Sequence, residues 1–275
     1  MLKQIKSHYW SLRIAIDFFL KRRLKFFGKN ILNRLWPWNR GYYALLNRQE
    51  KSSYNFATDK HAVRHKHSGD SGWDNSKQSK IKHRDYQDYQ EYVVHQQQKL
   101  DEMLAIKGGF SKEVVRIYRL QFYRRFRHLS RLLPTQATII CLGARQGTEV
   151  EVLQDIGYHN AYGLDLNPGP DNPWVRPGDF MHLSEADNSV DLVYSNAADH
   201  ALNLDDFFKE HARVVKTDGY ALYDFDCSPS PDGFSAVHWE NVEDVILILL
   251  KYYKSIVHFE SDNKWRWVLV KSPKR

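Results

Sequence analysis

The chain has 275 residues, of which 42% are hydrophobic and 27% are charged. This composition supports a packed core and excludes wholesale disorder, and the length suits one sizeable domain with an appendage or two small domains. Cys141 and Cys227 are too few for a disulfide framework and suit a reducing compartment, and no apolar run approaches the roughly 18 residues of a membrane span. These features exclude a secreted mini-protein, a collagen, a membrane channel and a coiled-coil rod.

The net charge of +7 is concentrated at the N-terminus. Residues 1–40 hold ten Lys or Arg and one acid, a net charge of +9, which leaves 30 basic and 32 acidic residues, a net charge of −2, for residues 41–275. Apolar and basic side chains interleave from Tyr9 onward, which is typical of an amphipathic helix. Either this segment packs its apolar side chains on the rest of the chain, or it contacts a membrane surface, a partner or nucleic acid.

Residues 50–84 are polar and poor in aliphatic side chains, which indicates a linker or loop. His61, His65 and His67 are possible metal ligands, but no cysteine or well-spaced acid completes a site, so we expect a solvated loop and no metal. The expected domains are therefore a basic extension with a polar linker over residues 1–84, and a second domain with two leading helices over residues 85–275.

The spacing of apolar residues predicts one helix over residues 85–106 and a second from Ser111, its N-cap, to Leu133. His95 and Lys99 lie one turn apart on the first helix, where they form either a lid over a bound cofactor or a solvated face. The second helix presents arginines that either bind phosphate or carboxylate groups or form a solvated face. These arginines are Arg116, Arg119, Arg124, Arg125, Arg127 and Arg131.

From residue 138 onward, short apolar runs alternate with helix-like segments. The runs TIICLG, AYGLDL, SVDLVYSN and GYALYDFD are typical of buried parallel strands, and LDDFFKEHARVV has helical spacing. This alternation predicts an α/β fold with a mostly parallel sheet. Such sheets bind ligands beyond the carboxyl ends of their strands.

Residues with binding chemistry follow the predicted strands. The first strand ends in the turn Gly143 to Gly147, where glycine permits close approach to a ligand. The second ends at Asp165, whose carboxylate is suited to a ribose diol. Asp179 and Phe180 follow the third strand. The Asp179 carboxylate is suited to accept from an adenine amine, and the Phe180 ring is suited to stack on the base.

The order and spacing of these features resemble the class I S-adenosylmethionine-dependent methyltransferases, of the methyltransferase type 11 kind, over about residues 110–275. The stretch SVDLVYSNAADHALNLDDFFKEHARVVKTDGYALYDF carries most of the resemblance, with Asp199-His200 where the family commonly shows an acid and a histidine. SIVHFE and WRWVLVKS are similar to the strand pair that completes that sheet. The resemblance implies a Rossmann-like seven-stranded sheet with an antiparallel C-terminal strand.

The resemblance also implies S-adenosyl-L-methionine as the cofactor and a set of binding residues. These are Gly143, Ala144, Arg145, Gly147, Glu149, Asp165, Leu166, Asp179, Phe180 and Asn196. The family's glycine loop departs here at two positions, because Cys141 replaces an acid that often contacts the methionine amine and Arg145 replaces the middle glycine. Glu149 either substitutes for that acid or is an exposed acid at a helix start. Arg145 either binds the methionine carboxylate or projects into solvent.

For the chemistry, the family position singles out His200 as a general base or substrate-orienting residue, with a structural hydrogen bond to the backbone or to Asp199 as the alternative. Asp224 is a second candidate base, or else a strand-end acid beside solvent. The expected function is methyl transfer to an oxygen or nitrogen of a small-molecule or sugar-type acceptor, in the cytoplasm or at a membrane surface. The alternatives are a non-catalytic methyltransferase-like protein that binds a nucleoside or a partner, and another Rossmann-like enzyme such as a dehydrogenase.

Overall fold

A computed structural model describes residues 72–74, 80–107, 112–169, 171–262 and 265–274. The basic segment 1–40, the possible metal ligands His61, His65 and His67, and the N-cap predicted at Ser111 lie outside the described residues. None of the helices in the described part of the chain is long and apolar enough to cross a membrane.

The described chain alternates strands and helices. In chain order the strands are β1 (Ile81–His83), β2 (Ile139–Leu142), β3 (Ala161–Asp165), β4 (Val175–Pro177), β5 (Val190–Ser195), β6 (Val215–Asp226), β7 (Val237–Trp239), β8 (Tyr253–Asp262) and β9 (Trp265–Pro273). The helices are α1 (Tyr89–Lys107), α2 (Lys112–Phe126), α3 (Thr148–Asp155), α4 (Leu204–Val214) and α5 (Val242–Tyr252), with short 3-10 turns at Leu129–Arg131 and Ala198–His200.

Seven strands form one sheet in the order β4-β3-β2-β5-β6-β9-β8. The first five strands in this order, β4, β3, β2, β5 and β6, run parallel to one another. Strand β9 pairs antiparallel with both β6 and β8. Leu142 at the end of β2 lies beside Leu164 of β3 on one side and Ser195 of β5 on the other. The carboxyl ends of the parallel strands therefore share one edge, which we call the carboxyl edge. The predicted Rossmann-like sheet with its antiparallel C-terminal strand is confirmed.

Helices cover both faces of this sheet, because successive strand residues point to opposite faces. On β2, Ile140 and Leu142 join the core beneath α1, α4 and α5. Ile139 and Cys141 join the core beneath α2 and α3. All four residues are buried, which explains why β2 reads as an uninterrupted apolar run.

Two stretches differ from the sequence expectation. The second leading helix ends at Phe126 rather than Leu133, but a 3-10 turn follows and keeps Leu129 and Leu133 buried. The apolar spacing therefore continues beyond the end of the helix. The end of the segment expected to be a linker contains β1, which pairs antiparallel with β7, and the backbone N–H of Arg84 donates to the Ala236 carbonyl at 2.7 Å. A strand of three residues is too short to show a period in the sequence.

Candidate functional site at the carboxyl edge

The glycine loop joins β2 to α3 and contains three residues with positive φ. Gly143 has φ +71°, Arg145 has φ +49° and Gly147 has φ +82°. A Cβ atom on Gly143 would lie 2.6 Å from the Ala197 Cβ, and one on Gly147 would lie 2.7 Å from the Trp174 Cβ. Both glycines are therefore required by space and by conformation. Arg145 retains the left-handed backbone of the glycine that the family places there, with the small steric penalty that a side chain brings.

Asp165 lies at the end of β3 and faces this loop. One carboxylate oxygen accepts from the Arg145 backbone N–H at 2.8 Å, and the other accepts from the Asn167 N–H at 2.9 Å. Burial raises the pKa of Asp165, and these two hydrogen bonds oppose that rise. The carboxylate is thus fixed against the glycine loop, and the half-buried Leu166 follows it.

Glu149 stands in the first turn of α3 and is only 5% exposed, so the expectation of an exposed acid at this position is wrong. Burial raises the pKa of Glu149 to about 8, and the Arg145 guanidinium opposes this rise. Glu149 in turn adds to the raised pKa of the buried Cys141 thiol. A carboxyl group therefore lies near the residue that replaces the family's acid.

Asp179 follows β4, and its carboxylate has two fixed donors. One oxygen accepts from the Met181 N–H at 2.8 Å, and the other accepts from the Tyr89 hydroxyl of α1. Phe180 packs into the core, 7% exposed, edge to face with Phe207 at 5.3 Å between ring centroids. Its predicted stacking on the base stays a prediction.

His200 is 8% exposed and lies on the 3-10 turn that follows β5 and the half-buried Asn196. Its Nδ1 is 3.0 Å from the Phe234 carbonyl oxygen. Because a carbonyl only accepts, Nδ1 carries the proton and Nε2 presents a lone pair. Nε2 lies 2.5 Å from the Lys99 ammonium nitrogen and 3.5 Å from an Asp199 oxygen. Burial lowers the pKa of His200. The structural hydrogen bond from His200 to the backbone, which was the alternative to a catalytic role, is therefore present.

Lys99 joins α1 to two loops of the carboxyl edge. Its ammonium also donates to Asp232 at 3.1 Å, and burial together with the Arg145 charge lowers the pKa of Lys99 to about 8. The ligand atoms of Asp199, His200 and Asp232 lie within 4.8 Å of one another, an arrangement that suits a cation. The ammonium of Lys99 is the cation that contacts two of these three residues.

His95 contacts the protein with both ring nitrogens, so the expectation of a solvated helix face is wrong for His95 and Lys99. Its Nδ1 is 2.9 Å from the Tyr86 hydroxyl oxygen, and its Nε2 is 3.1 Å from the Gly233 carbonyl oxygen. Its ring stacks on Phe234 at 5.3 Å. The first half of α1 therefore packs against the loop that precedes β7.

Asp224 is 1% exposed, so the reading of a strand-end acid beside solvent is also wrong. It forms an ion pair with Arg125 of α2 and accepts from the Tyr194 hydroxyl at 2.7 Å. Burial raises the pKa of Asp224 to about 6, against the opposing Arg125 charge. These contacts place Asp224 inside the helix–sheet layer and do not support a role as base.

The arginines of α2 are not all solvated either. Arg119 is buried, and its guanidinium forms ion pairs with Glu151 and Asp155 of α3. Arg125 pairs with Asp224 as described above. These two arginines bind carboxylate groups of the protein itself and hold α2 against its neighbours.

Sequence reasoning missed Tyr89 and Asp232 at this edge. Tyr89 was visible only as one apolar position of a helical stripe. Asp232 lies in a Ser- and Pro-containing stretch after β6 whose sequence has no periodic signal. Both residues reach the site only through contacts with chain segments 90 and 133 positions away.

An open α/β sheet with a glycine turn and acids after successive strands is the architecture of Rossmann-like proteins, which as a class bind their ligands at the carboxyl ends of the strands. Residues 140–223 match the family profile described as a methyltransferase domain. Over these residues the chain is similar to methyltransferases. No curated protein sequence matched the chain.

Several solved structures are similar to this chain. Geranyl diphosphate C-methyltransferase from Streptomyces coelicolor is 13% identical with a TM-score of 0.47, over 60% of this chain and 84% of that one. An S-adenosylmethionine dependent methyltransferase from Mesorhizobium loti is 17% identical with a TM-score of 0.42, over 54% and 97%. A TehB-like S-adenosylmethionine-dependent methyltransferase from Corynebacterium glutamicum is 16% identical with a TM-score of 0.41, over 57% and 98%.

Proposed function

We propose that this protein is a class I S-adenosylmethionine-dependent methyltransferase, with S-adenosyl-L-methionine held at the carboxyl edge. The proposed reaction transfers the methyl group to an oxygen or nitrogen of a small-molecule or sugar-type acceptor. The observation that carries the site is the glycine loop, whose left-handed backbone at Gly143, Arg145 and Gly147 is tied to Asp165 by a backbone hydrogen bond.

The residues at this edge fit the cofactor chemically. Asp165 and Asp179 supply carboxylates for the ribose diol and the adenine amine, and Phe180 lies beside Asp179. Glu149 offers a buried carboxyl for the methionine ammonium, in place of the acid that Cys141 replaces. Arg145 offers a planar cation for the methionine carboxylate. Gly143, Ala144, Gly147, Leu166 and Asn196 complete the proposed binding set.

S-Adenosylmethionine supplies a methyl group that its sulfonium already activates. The protein's work is therefore to align the acceptor and to exclude water. We propose that His200 accepts the acceptor's proton or orients the acceptor, through the Nε2 lone pair. Since Lys99 donates to that lone pair, His200 becomes available as a base only when Lys99 moves or loses its proton.

The proposal is tested first by calorimetric titration with S-adenosylmethionine, S-adenosylhomocysteine and NAD. We expect micromolar binding of the first two and none of NAD. The acceptor class is then tested by the release of S-adenosylhomocysteine in the presence of hydroxyl- or amine-bearing small molecules. Turnover only with carbon acceptors would contradict the proposed class.

A second candidate is a methyltransferase-like protein that binds a nucleoside or a partner without catalysis. The engagement of both His200 nitrogens and the replaced residues Cys141 and Arg145 favour it. Tight binding of S-adenosylmethionine that persists unreacted with every acceptor class would support this candidate.

We further propose that residues 1–40 engage an anionic membrane surface, a partner or nucleic acid, and that the protein works in the cytoplasm or peripherally at such a membrane. The support is the net charge of +9 on this segment and the small number of cysteines. Deletion of residues 1–40 should abolish binding to anionic vesicles or to RNA and leave the binding of S-adenosylhomocysteine unchanged.

A further inference from the structure

Helix α1 contacts the loops of the carboxyl edge along its first three turns. The Tyr92 hydroxyl donates to the His200 carbonyl at 3.0 Å, and the Gln96 amide donates to the Phe234 carbonyl at 2.9 Å. The Asn167 amide, two residues after Asp165, donates to the Gln97 carbonyl at 3.3 Å. A further contact of α1, made by Tyr89, reaches Asp179 of the proposed cofactor site directly.

Tyr89 fixes the carboxylate of Asp179 from outside the loop that carries it. The Met181 N–H, within the loop, holds one carboxylate oxygen, and the Tyr89 hydroxyl holds the other. Two donors on opposite oxygens prevent rotation of the carboxylate plane. The oxygen that accepts from Met181 retains a lone pair for a ligand, since a carboxylate offers about four acceptor sites, while the oxygen that accepts from Tyr89 also lies 3.4 Å from the His182 Nδ1.

The Tyr89 side chain is itself held in place. Its ring lies 5.4 Å from the Tyr92 ring and 5.1 Å from the His182 ring, and its hydroxyl oxygen is 2.9 Å from the His182 Nδ1. Burial and the neighbouring Asp179 carboxylate both raise the pKa of Tyr89, so the phenol stays protonated and remains a donor.

We propose that Tyr89 is a positioning residue of the cofactor site, which orients the Asp179 carboxylate toward the 6-amino group of the adenine and so makes α1 a determinant of base specificity. This inference rests on the proposed assignment of Asp179 to the adenine. Tyr89 acts through Asp179, so its loss should affect the recognition of the amine more than the binding of the rest of the cofactor.

The experiment compares two ligands in the full chain, S-adenosylhomocysteine and S-inosylhomocysteine, which lacks the 6-amino group. Tyr89→Phe should weaken the binding of S-adenosylhomocysteine about five- to tenfold, the usual effect of losing one ordinary hydrogen bond, because Tyr89 acts on the ligand only through Asp179. The affinity for S-inosylhomocysteine should change little. The Kd of S-inosylhomocysteine divided by the Kd of S-adenosylhomocysteine should therefore fall by a similar factor. A general loosening of α1 would weaken both ligands equally and leave this ratio unchanged.

Tyr86→Phe is the matched control, because it removes a phenol hydroxyl that contacts His95 and not Asp179. It should leave the ratio at the wild-type value. Unchanged or tighter S-adenosylhomocysteine binding by Tyr89→Phe would overturn the proposal, as would a change in the ratio of equal size in Tyr86→Phe. Asp179→Asn distinguishes a failure of the adenine assignment from a failure of the Tyr89 proposal. If Asp179→Asn also leaves the ratio unchanged, Asp179 does not recognise the adenine amine. If Asp179→Asn lowers the ratio and Tyr89→Phe does not, only the role of Tyr89 is refuted.

Discussion

Replacing Arg145 by glycine has two opposite effects on stability, because it removes backbone strain from the folded chain and adds entropy to the unfolded chain. Comparison with the alanine variant separates these effects. A non-glycine residue in the left-handed region costs about 1–2 kcal/mol, and Arg145 has φ +49°. Arg145→Gly removes this cost but adds about 0.5–1 kcal/mol of backbone entropy to the unfolded chain. We expect a net gain of roughly 0.5 kcal/mol in the free energy of unfolding. Arg145→Ala keeps the strained backbone and should show no such gain.

Both variants lose the guanidinium, so both should bind S-adenosylhomocysteine about tenfold more weakly or worse, if that group holds the methionine carboxylate. Urea unfolding followed by circular dichroism gives the stabilities, and calorimetry gives the affinities. The reasoning about the backbone is refuted if the glycine and alanine variants have equal stability. The proposed carboxylate contact is refuted if either variant binds the ligand as tightly as the wild type does.

Three further predictions concern the same edge. Asp165→Ala should weaken S-adenosylhomocysteine by on the order of 3 kcal/mol in calorimetry, and unchanged affinity would rule out the ribose contact. Gly147→Ala should destabilise the fold by roughly 2–4 kcal/mol, because its Cβ would lie 2.7 Å from the Trp174 Cβ. Gly157→Ala is the control and should cost less, because its Cβ would lie 3.6 Å from the nearest atom. Equal unfolding midpoints for the two variants would contradict this. The folded-state pKa of Glu149, about 8, lies above its unfolded value of 4.5, so its contribution to stability is complete below pH 4.5 and is lost as the pH rises to 8. Glu149→Gln should therefore flatten the fall in unfolding free energy between pH 5 and pH 8, and parallel curves for the two proteins would exclude a buried, protonated Glu149.

The strand ends were predictable because short stretches of chain fix them. Four buried residues followed by Gly143, and a strand ending at Asp165, are local patterns that require no knowledge of the rest of the chain. The alternation of strands and helices also predicts the mostly parallel sheet, whereas the seven strands and the antiparallel C-terminal strand were implied by the family resemblance. The left-handed backbone at Gly143 and Gly147 is likewise a local property.

Burial and pairing were not predictable in this way. The sequence shows Glu149 as an acid at a helix start, and only the tertiary structure shows that its side chain is buried. The packing of α2 on α3 pairs Arg119 with two carboxylates of α3. The pairing of Arg125 with Asp224 joins positions 99 residues apart along the chain. The helical spacing of the sequence cannot separate such buried arginines from solvated ones, because both lie outside the apolar stripe of the helix.

The amino-acid sequence by itself determined the α/β architecture and the positions of the glycine loop and its acids, because each depends on neighbouring residues, and the family resemblance of those residues implied the cofactor. Only the tertiary structure decided that α1 lies on the carboxyl edge, with Tyr89 on Asp179 and Lys99 on His200. The physical reason is that hydrogen bonds and desolvation depend on which distant segments meet. That choice is made by the packing of the whole domain, which no local spacing records.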